Sequence, residues 1–216
     1  MKNNIHKFIL LLISLAVFSF TANAQDFYGT TDLKTFREGY DKEMRDKATT
    51  PLTEEDFPLF KGVDYFPTDN TFRVKANFTE TTEQKSFKFP TSSGHFKTYV
   101  KVGVLSFKLN NKSYSLSVYQ SEPSVQEQFP EYKDLLFIPF KDLTNGKGSY
   151  GGGRYIDVWK PKDKEVILDF NIAYNPSCAY GSDRYSCPIP PKENFLKVEI
   201  RAGERAYVSP SGKTKH

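Results

Sequence analysis

The amino-acid sequence predicts a mainly β fold, a single antiparallel β-sandwich or barrel-like domain with one N-terminal surface helix. Apolar and polar residues alternate along several short stretches, which is typical of strands with one buried face. Gly, Pro and Asn separate these stretches, a spacing that favours a sandwich or barrel over a parallel α/β sheet. One early segment has instead the three- and four-residue apolar spacing of a surface helix.

The chain begins with the pattern of a secretory signal peptide. Two lysines precede an apolar run at residues 8–20, and small residues at 22–24 form a cleavage motif. The run is shorter than the stretch of about 20 apolar residues that spans a membrane, so a membrane anchor is the less favoured alternative. We therefore expect a signal peptide at residues 1–24, a single β-rich domain at 25–216, and a periplasmic or secreted product without stable membrane insertion.

The charge of the chain gives no sign of a nucleic-acid partner. The sequence has 30 Lys and Arg against 26 Asp and Glu, which is close to neutral. A nucleic-acid-binding protein is expected to gather its basic residues on one face, whereas here they are spread singly along the chain. We expect no nucleic acid among the partners.

The helix is predicted at residues 32–47. Thr30 or Thr31 is expected to cap its start, and Thr50 before Pro51 ends any helical geometry. The stripe is expected to pack on the domain rather than on a partner, and it consists of Leu33, Phe36, Tyr40 and Met44.

Seven or eight strands follow in order along the chain. The turn at Asn110, Asn111 and Lys112 reverses the chain between two of them, which predicts a hairpin. The predicted strands are 72–78, one beginning at Phe87 and Phe89, 99–109, 114–118, 135–140, 154–159, 165–170 and 195–200.

Two kinds of functional site are excluded, a phosphate-binding glycine loop by its context and a histidine-based site by the number of histidines. Gly146, Gly148 and Gly151 match a G-x-G-x-x-G phosphate-binding pattern, but a strand follows them where a dinucleotide fold needs a helix. They are better explained as a connection between antiparallel strands. After cleavage only His95 and His216 remain as histidines, too few for a Ser-His-Asp site or a zinc site.

A metal or cofactor is likewise not expected. Asp142, Thr144 and Asn145 could offer oxygen ligands to calcium, but their spacing is not that of a helix-loop-helix calcium loop.

Cys178 and Cys187 are the two cysteines of the chain, with eight residues between them. In an exported protein a disulfide is the expected state. A redox pair and a pair of metal ligands are the alternatives, although the spacing is far from C-x-x-C. The bridge would hold Tyr174, Asn175 and Tyr180 on one side of the loop and Tyr185 on the other.

Three motifs carry a family resemblance: F-x-D-x-T around Asp142, G-R-Y at Arg154, and D-F-N-x-A-Y-N-P-x-C-A with C-P-x-P-P-x-x-N from Asp169 onward. With them the chain resembles, over residues 36–204, the bacterial family known as domain of unknown function 1684. The resemblance implies one β-rich unit and no particular reaction. Ser177 departs from it, because the family usually has a proline there. The polar residues that the resemblance carries over are Asp142, Thr144, Arg154, Asp169, Asn171, Tyr174, Asn175, Cys178, Cys187, Asn194 and Glu204.

The candidate ligand-binding site is a concave polar surface. The guanidinium of Arg154 is suited to a carboxylate or phosphate, and Asp169 and Asn171 are expected to share one sheet face. The alternative is a structural ion pair between Arg154 and Asp142 or Asp169. The candidate residues are Arg154, Asp142, Asp169, Asn171, Tyr174 and Asn175.

The leading functional hypothesis is an exported small-ligand-binding or envelope-associated domain that recognises a small polar ligand, anionic or sugar-like. A carboxylate-based hydrolase is the first alternative, with two acids among Asp142, Asp169 and Glu204 as general acid and base on a sugar or phosphate-like substrate. A purely structural motif is the second. Whether the protein is an enzyme stays open.

Overall fold

The computed structural model describes residues 29–212, and the signal peptide predicted for residues 1–24 lies outside them. The described range contains two α-helices, neither of them long and apolar enough to cross a membrane. The helices are α1 (Leu33–Met44) and α2 (Pro123–Gln128), and the strands are β1 (Arg73–Pro90), β2 (Phe96–Leu109), β3 (Lys112–Ser121), β4 (Leu135–Phe140), β5 (Arg154–Trp159) and β6 (Glu165–Asp169). Short 3₁₀ turns lie at Phe57–Leu59, Asn70–Phe72, Pro130–Tyr132, Phe170–Ile172, Ser177–Tyr180 and Lys192–Asn194.

The six strands form one antiparallel sheet in the order β5-β4-β3-β2-β1-β6, which curls into a nearly closed barrel. The predicted mainly β, barrel-like class is therefore confirmed. Strands β4 and β5 have the bounds that the sequence predicts. Gly146, Gly148 and Gly151 lie in the connection between these two antiparallel strands, as their context indicated.

The connection between β5 and β6 explains why the sheet curls. These strands are at opposite edges of the sheet, yet only residues 160–164 join them. A flat sheet of six strands would separate its edges by about 24 Å, more than the roughly 20 Å that this connection can span. Across the gap, the ammonium of Lys160 lies 2.6 Å from Oε1 of Glu80. At the other end of the connection, the Phe78 amide donates to the Lys164 carbonyl at 2.6 Å, which extends the β1–β6 pairing.

The prediction of two separate strands in the region of β1 is wrong. Two strands were predicted, at 72–78 and from Phe87, whereas the structure has the single long β1 with an irregularity between Glu80 and Lys85. Before the irregularity Ala76 and Phe78 are buried in the barrel interior; after it Phe87 and Phe89 pack against Tyr119. The bulge thus lets one strand serve two apolar layers.

The β2–β3 hairpin is as predicted, and its turn shows why asparagine is used there. Asn110 and Asn111 both have positive φ, 50° and 61°, as a type I′ turn requires.

Strands β3 and β4 pair directly only at Tyr119 and Phe137, and a side chain completes the junction. Asn194 accepts from the Ser117 amide at 2.7 Å and donates to the carbonyls of Ser117 at 2.9 Å and Pro139 at 2.7 Å. Its amide takes the place of a missing stretch of strand.

Helix α1 confirms the predicted stripe but not the predicted cap. Asp32, rather than Thr30 or Thr31, accepts from the Thr35 amide at 2.7 Å. Phe36, Tyr40 and Met44 are buried, and the rings of Phe36 and Tyr40 lie 6.2 and 5.8 Å from that of Tyr174. The helix therefore packs on the domain.

The prediction of a strand at residues 195–200 is wrong. Its backbone is irregular and makes only isolated hydrogen bonds to the segment after β4, such as Leu196 N to Lys141 O at 2.8 Å. The alternation arises because Leu196 and Ile200 close one end of the barrel while Phe195 stays exposed. Burial, not strand pairing, set the period-two pattern.

Aromatic residues form a second layer outside the barrel. Phe89, Tyr99, Tyr119, Phe137 and Tyr155 contact one another ring to ring, with centroids 4.8–6.4 Å apart. The segment containing both cysteines lies over part of this layer, where it forms one wall of a pocket together with Tyr99, Phe137 and Tyr155.

Candidate functional site

Arg154 is a buried structural clasp at the end of the barrel. The side chain is fully buried, and its Nη2 donates to Oδ2 of Asp142 at 2.9 Å and to the Ile200 carbonyl at 2.8 Å. Its Nη1 donates to the carbonyls of Ala202 and Glu204. These contacts support the interpretation of Arg154 as a structural ion-pair partner, because no edge of the guanidinium faces solvent.

The carboxylate of Asp142 likewise accepts hydrogen bonds from protein groups. Its Oδ1 accepts from the backbone amide and the hydroxyl of Thr144, at 2.8 and 2.6 Å, and from the Ile200 amide at 3.1 Å. The candidate calcium ligands thus hold one another and Arg154. Among the described residues, no group of three or more His, Cys, Asp or Glu side chains is arranged to hold a metal ion.

Asp169 and Asn171 form a second, separate structural unit. They do not share a sheet face as predicted, because β6 ends at Asp169 and Asn171 lies in the following 3₁₀ turn. Asp169 accepts from the backbone and side-chain nitrogens of Asn171 at 2.9 and 2.8 Å and from Arg73 at 3.2 Å. The Asn171 amide pairs with the backbone of Asp69, with both distances 3.0 Å.

Tyr174 and Asn175 lie between two buried carboxyl groups. The hydroxyl of Tyr174 donates to Asp157, while the backbone amide of Asn175 donates to Oε2 of Glu204 at 2.7 Å. Oε1 of Glu204 accepts from the hydroxyl of Tyr180. Burial raises the pKa of Glu204 to about 7, although both of these hydrogen bonds lower it.

The predicted disulfide is present, and it closes the disulfide loop (residues 178–187). Cys178 and Cys187 are bonded, with their Cα atoms 6.1 Å apart. On the loop-entropy estimate such a bridge stabilises the fold by about 2–3 kcal/mol. The loop is also held by the β1–β2 turn, where the Ser92 amide donates to the Cys187 carbonyl at 3.0 Å.

A cavity of about 390 Å³ lies between the outer face of the barrel and this loop. We call it the tyrosine pocket. Strand β2 supplies Lys97 and Tyr99, and Ser121 ends β3 at its wall. Its aromatic lining, which surrounds Asp157, consists of Tyr99, Tyr132, Phe137, Tyr155, Tyr174 and Tyr185.

Asp157 is the buried acid of the tyrosine pocket. It is 7% exposed, and burial raises its pKa to about 7, against the lowering effect of the Tyr174 hydrogen bond. Among the described residues, that hydroxyl is the one hydrogen-bond donor shown for its carboxylate, and no cation lies within ion-pair distance. A perturbed carboxyl in a cleft is a mark of functional sites.

Three other clefts are less suited to a functional site. Clefts of about 800 and 1160 Å³ are lined by acids that are all exposed. A cavity of about 260 Å³ reaches the buried Glu204, but both oxygens of that carboxylate already accept hydrogen bonds from the protein. In the tyrosine pocket, by contrast, one oxygen of the buried Asp157 carboxylate has no protein partner among the described residues.

Of the six candidate residues, the structure brings one, Tyr174, to the tyrosine pocket. Asp157, Tyr99 and Tyr155 were not predicted. A signal was present in the R-Y-I-D-V-W strand, where Tyr155 and Asp157 alternate with the inward-facing Arg154. An acid in a strand whose neighbouring residues are apolar is therefore a signal of a functional group that the sequence does contain.

The chain is similar to one protein family and to a solved structure. A family model described as "Protein of unknown function (DUF1684)" matches residues 59–205. The solution NMR structure of the uncharacterized protein from gene locus rrnAC0354 of Haloarcula marismortui is 36% identical and has a TM-score of 0.63, covering 80% of this chain and 91% of that one. No curated protein matches the chain.

Proposed function

The chain belongs to the DUF1684 family, and from that premise we propose that the protein is a small-ligand-binding domain whose polar ligand occupies the tyrosine pocket. The observation that carries the proposal is the buried Asp157 in an aromatic cavity, with one carboxylate oxygen that lacks a partner among the described residues. Ligand sites are typically mostly apolar cavities with a few oriented polar groups.

The proposal moves the ligand away from Arg154. An anionic ligand was expected because of that guanidinium, whose four hydrogen bonds are all to protein groups. The tyrosine pocket offers instead ring faces, hydroxyl groups and one carboxyl group.

The carboxylate-based hydrolase is less well supported. Such a mechanism uses two carboxyl groups that flank one bond, about 5–10 Å apart. Asp142 and Asp169 each accept several hydrogen bonds from the protein, and Glu204 lines a different cavity. Among the described residues, Asp157 is the one acid in the lining of the tyrosine pocket, so binding is favoured over hydrolysis.

We further propose that the domain works outside the cytoplasm, in the periplasm or as a secreted protein. The signal-peptide pattern predicted at residues 1–24 supports export, and the Cys178–Cys187 bridge is of the kind that persists in oxidising compartments. Amino-terminal sequencing of the exported product is expected to begin at Gln25. Recovery of the uncleaved chain in the cytoplasm would contradict export.

A thermal-shift screen with a blocked-pocket variant tests the ligand site. Sugars, amines, dicarboxylates and phosphates are tested against the wild type and Ser121→Trp, whose indole would fill the tyrosine pocket. We expect at least one compound to raise the melting temperature of the wild type and not of this variant, because binding to the folded state alone stabilises it.

Ser115→Trp is the matched control. Ser115 lies on the same strand but lines the cleft of about 800 Å³ instead. The control should respond like the wild type. A compound that stabilises Ser121→Trp as strongly as the wild type would show that the tyrosine pocket is not its site.

A further inference from the structure

We propose that the ligand of the tyrosine pocket is a small organic cation, whose ammonium group lies between the tyrosine rings and the carboxylate of Asp157. This inference rests on the proposed function and adds the chemical class of the ligand. It follows from the protein partners of Asp157, which are fewer than those of the other buried acids in the described residues.

Asp157 has the fewest partners of the five buried acids in the described chain. Asp142 is paired with Arg154, and Asp169 with Arg73. Asp56 accepts from the hydroxyl groups of Tyr207 and Ser209 and from the Ser211 amide, and Glu204 accepts from Tyr180 and the Asn175 amide. Asp157 accepts one hydrogen bond, from Tyr174. An ionised carboxylate in such surroundings is costly unless a cation compensates it.

The walls of the pocket suit a cation. The ring of Tyr99 is stacked on Phe137 at 5.1 Å, and Tyr155 meets Tyr174 edge to face at 5.8 Å. Burial, with a contribution from Asp157, raises the pKa of Tyr99 to about 12, so the ring stays neutral at physiological pH. The faces of neutral tyrosine rings attract ammonium groups, and aromatic cages for quaternary ammonium ligands use this attraction.

In the part of the chain that the structure describes, the groups that face Asp157 are tyrosines and include no cation. They are Tyr99 on β2, Tyr155 on the same strand, and Tyr174 on the segment before the disulfide loop. Lys97 lines the pocket as well, and burial lowers the pKa of its ammonium group, but among the described residues it forms no ion pair with Asp157. An anionic ligand would instead place a second negative charge beside a buried carboxylate.

The proposal predicts an affinity that rises with pH. A cation is bound by the ionised form of Asp157, and that form becomes dominant as the pH passes through about 7. Since the apparent affinity scales with the binding-competent fraction, it should increase about tenfold between about pH 6 and about pH 8. A neutral ligand would show no such increase.

Calorimetric titration with matched probes tests the inference. Choline and butylammonium are compared with the neutral carbon isostere of choline, dimethylbutanol, and with glucose and succinate. We expect the two cations to bind the wild type at least tenfold more tightly than the neutral or anionic probes. Asp157→Asn, which keeps the shape and removes the charge, should abolish both this preference and the pH dependence.

Glu204→Gln is the matched control, because Glu204 is a buried carboxyl with a similarly raised pKa and a tyrosine partner outside this pocket. It should bind the cations as the wild type does. Equal binding of dimethylbutanol and choline, or of glucose alone, would overturn the cation and leave the ligand-binding function standing. Binding of none of the probes at millimolar concentration would overturn both.

Discussion

Replacing Arg154 by alanine is expected to lower the free energy of unfolding by about 3–5 kcal/mol, because it leaves Asp142 buried without its cation. The variant also removes the donors for the carbonyls of Ile200, Ala202 and Glu204, which tie the C-terminal segment to β5. Urea-induced unfolding measures this loss. A variant too unstable to purify at moderate temperature agrees with the expectation.

Arg201→Ala is the control, since that guanidinium is 67% exposed and pairs only with Glu199. The Arg201→Ala variant should lose less than about 1 kcal/mol of the free energy of unfolding. The double variant Arg154→Met with Asp142→Leu should be more stable than Arg154→Ala alone, because it leaves no unpaired buried charge. If Arg154→Ala were as mild as Arg201→Ala, the clasp would not be a structural element.

The stability of the domain is expected to fall as the pH rises from about 4 to about 8. Asp157 and Glu204 have ordinary pKa values of 3.8 and 4.5, and burial raises both to about 7 in the folded state. In this range the unfolded chain has lost these protons and the folded chain retains them, so raising the pH favours unfolding. Each group contributes roughly 3–4 kcal/mol, fully present at the acidic end and lost once the pH exceeds about 7.

Other carboxyl groups titrate in the same range, so the informative quantity is a difference between variants. The free energy of unfolding is measured for the wild type and for Asp157→Asn with Glu204→Gln. The double variant keeps neutral side chains at every pH, and its advantage over the wild type should grow from near zero at about pH 4 to several kcal/mol at about pH 8. An advantage that does not change with pH would mean that these groups ionise normally in the folded protein.

Most of the fold could be predicted because alternation reports burial directly. The bounds of β4 and β5, the hairpin at Asn110 and the stripe of α1 were all readable from spacing and turn chemistry. Two strand predictions failed, each for its own reason. Residues 195–200 alternate because they close the barrel end, and β1 continues through a bulge that sequence spacing interprets as a break.

The candidate site was harder to predict than the fold, because a polar residue can either bind a ligand or form hydrogen bonds within the protein. Arg154 and Asp142 look like ligand residues in sequence, but they are hydrogen-bonded to carbonyls and an amide of residues 46 to 58 positions away. Asp157 looked like one residue in a strand, and its lack of a counter-charge becomes evident only when every neighbour is known. Sequence patterns show which residues are polar, while the structure shows which remain unsatisfied.

The most direct test of the central claim is to map the bound ligand on the protein by amide NMR. Isotope-labelled protein is titrated with the compound that gives the largest thermal shift. The account predicts that the largest chemical-shift changes fall on Tyr99, Phe137, Asp157 and Tyr185, around the tyrosine pocket. Changes centred on Arg154 or on the cleft of about 1160 Å³, which Arg184 lines, with the pocket residues unaffected, would contradict it.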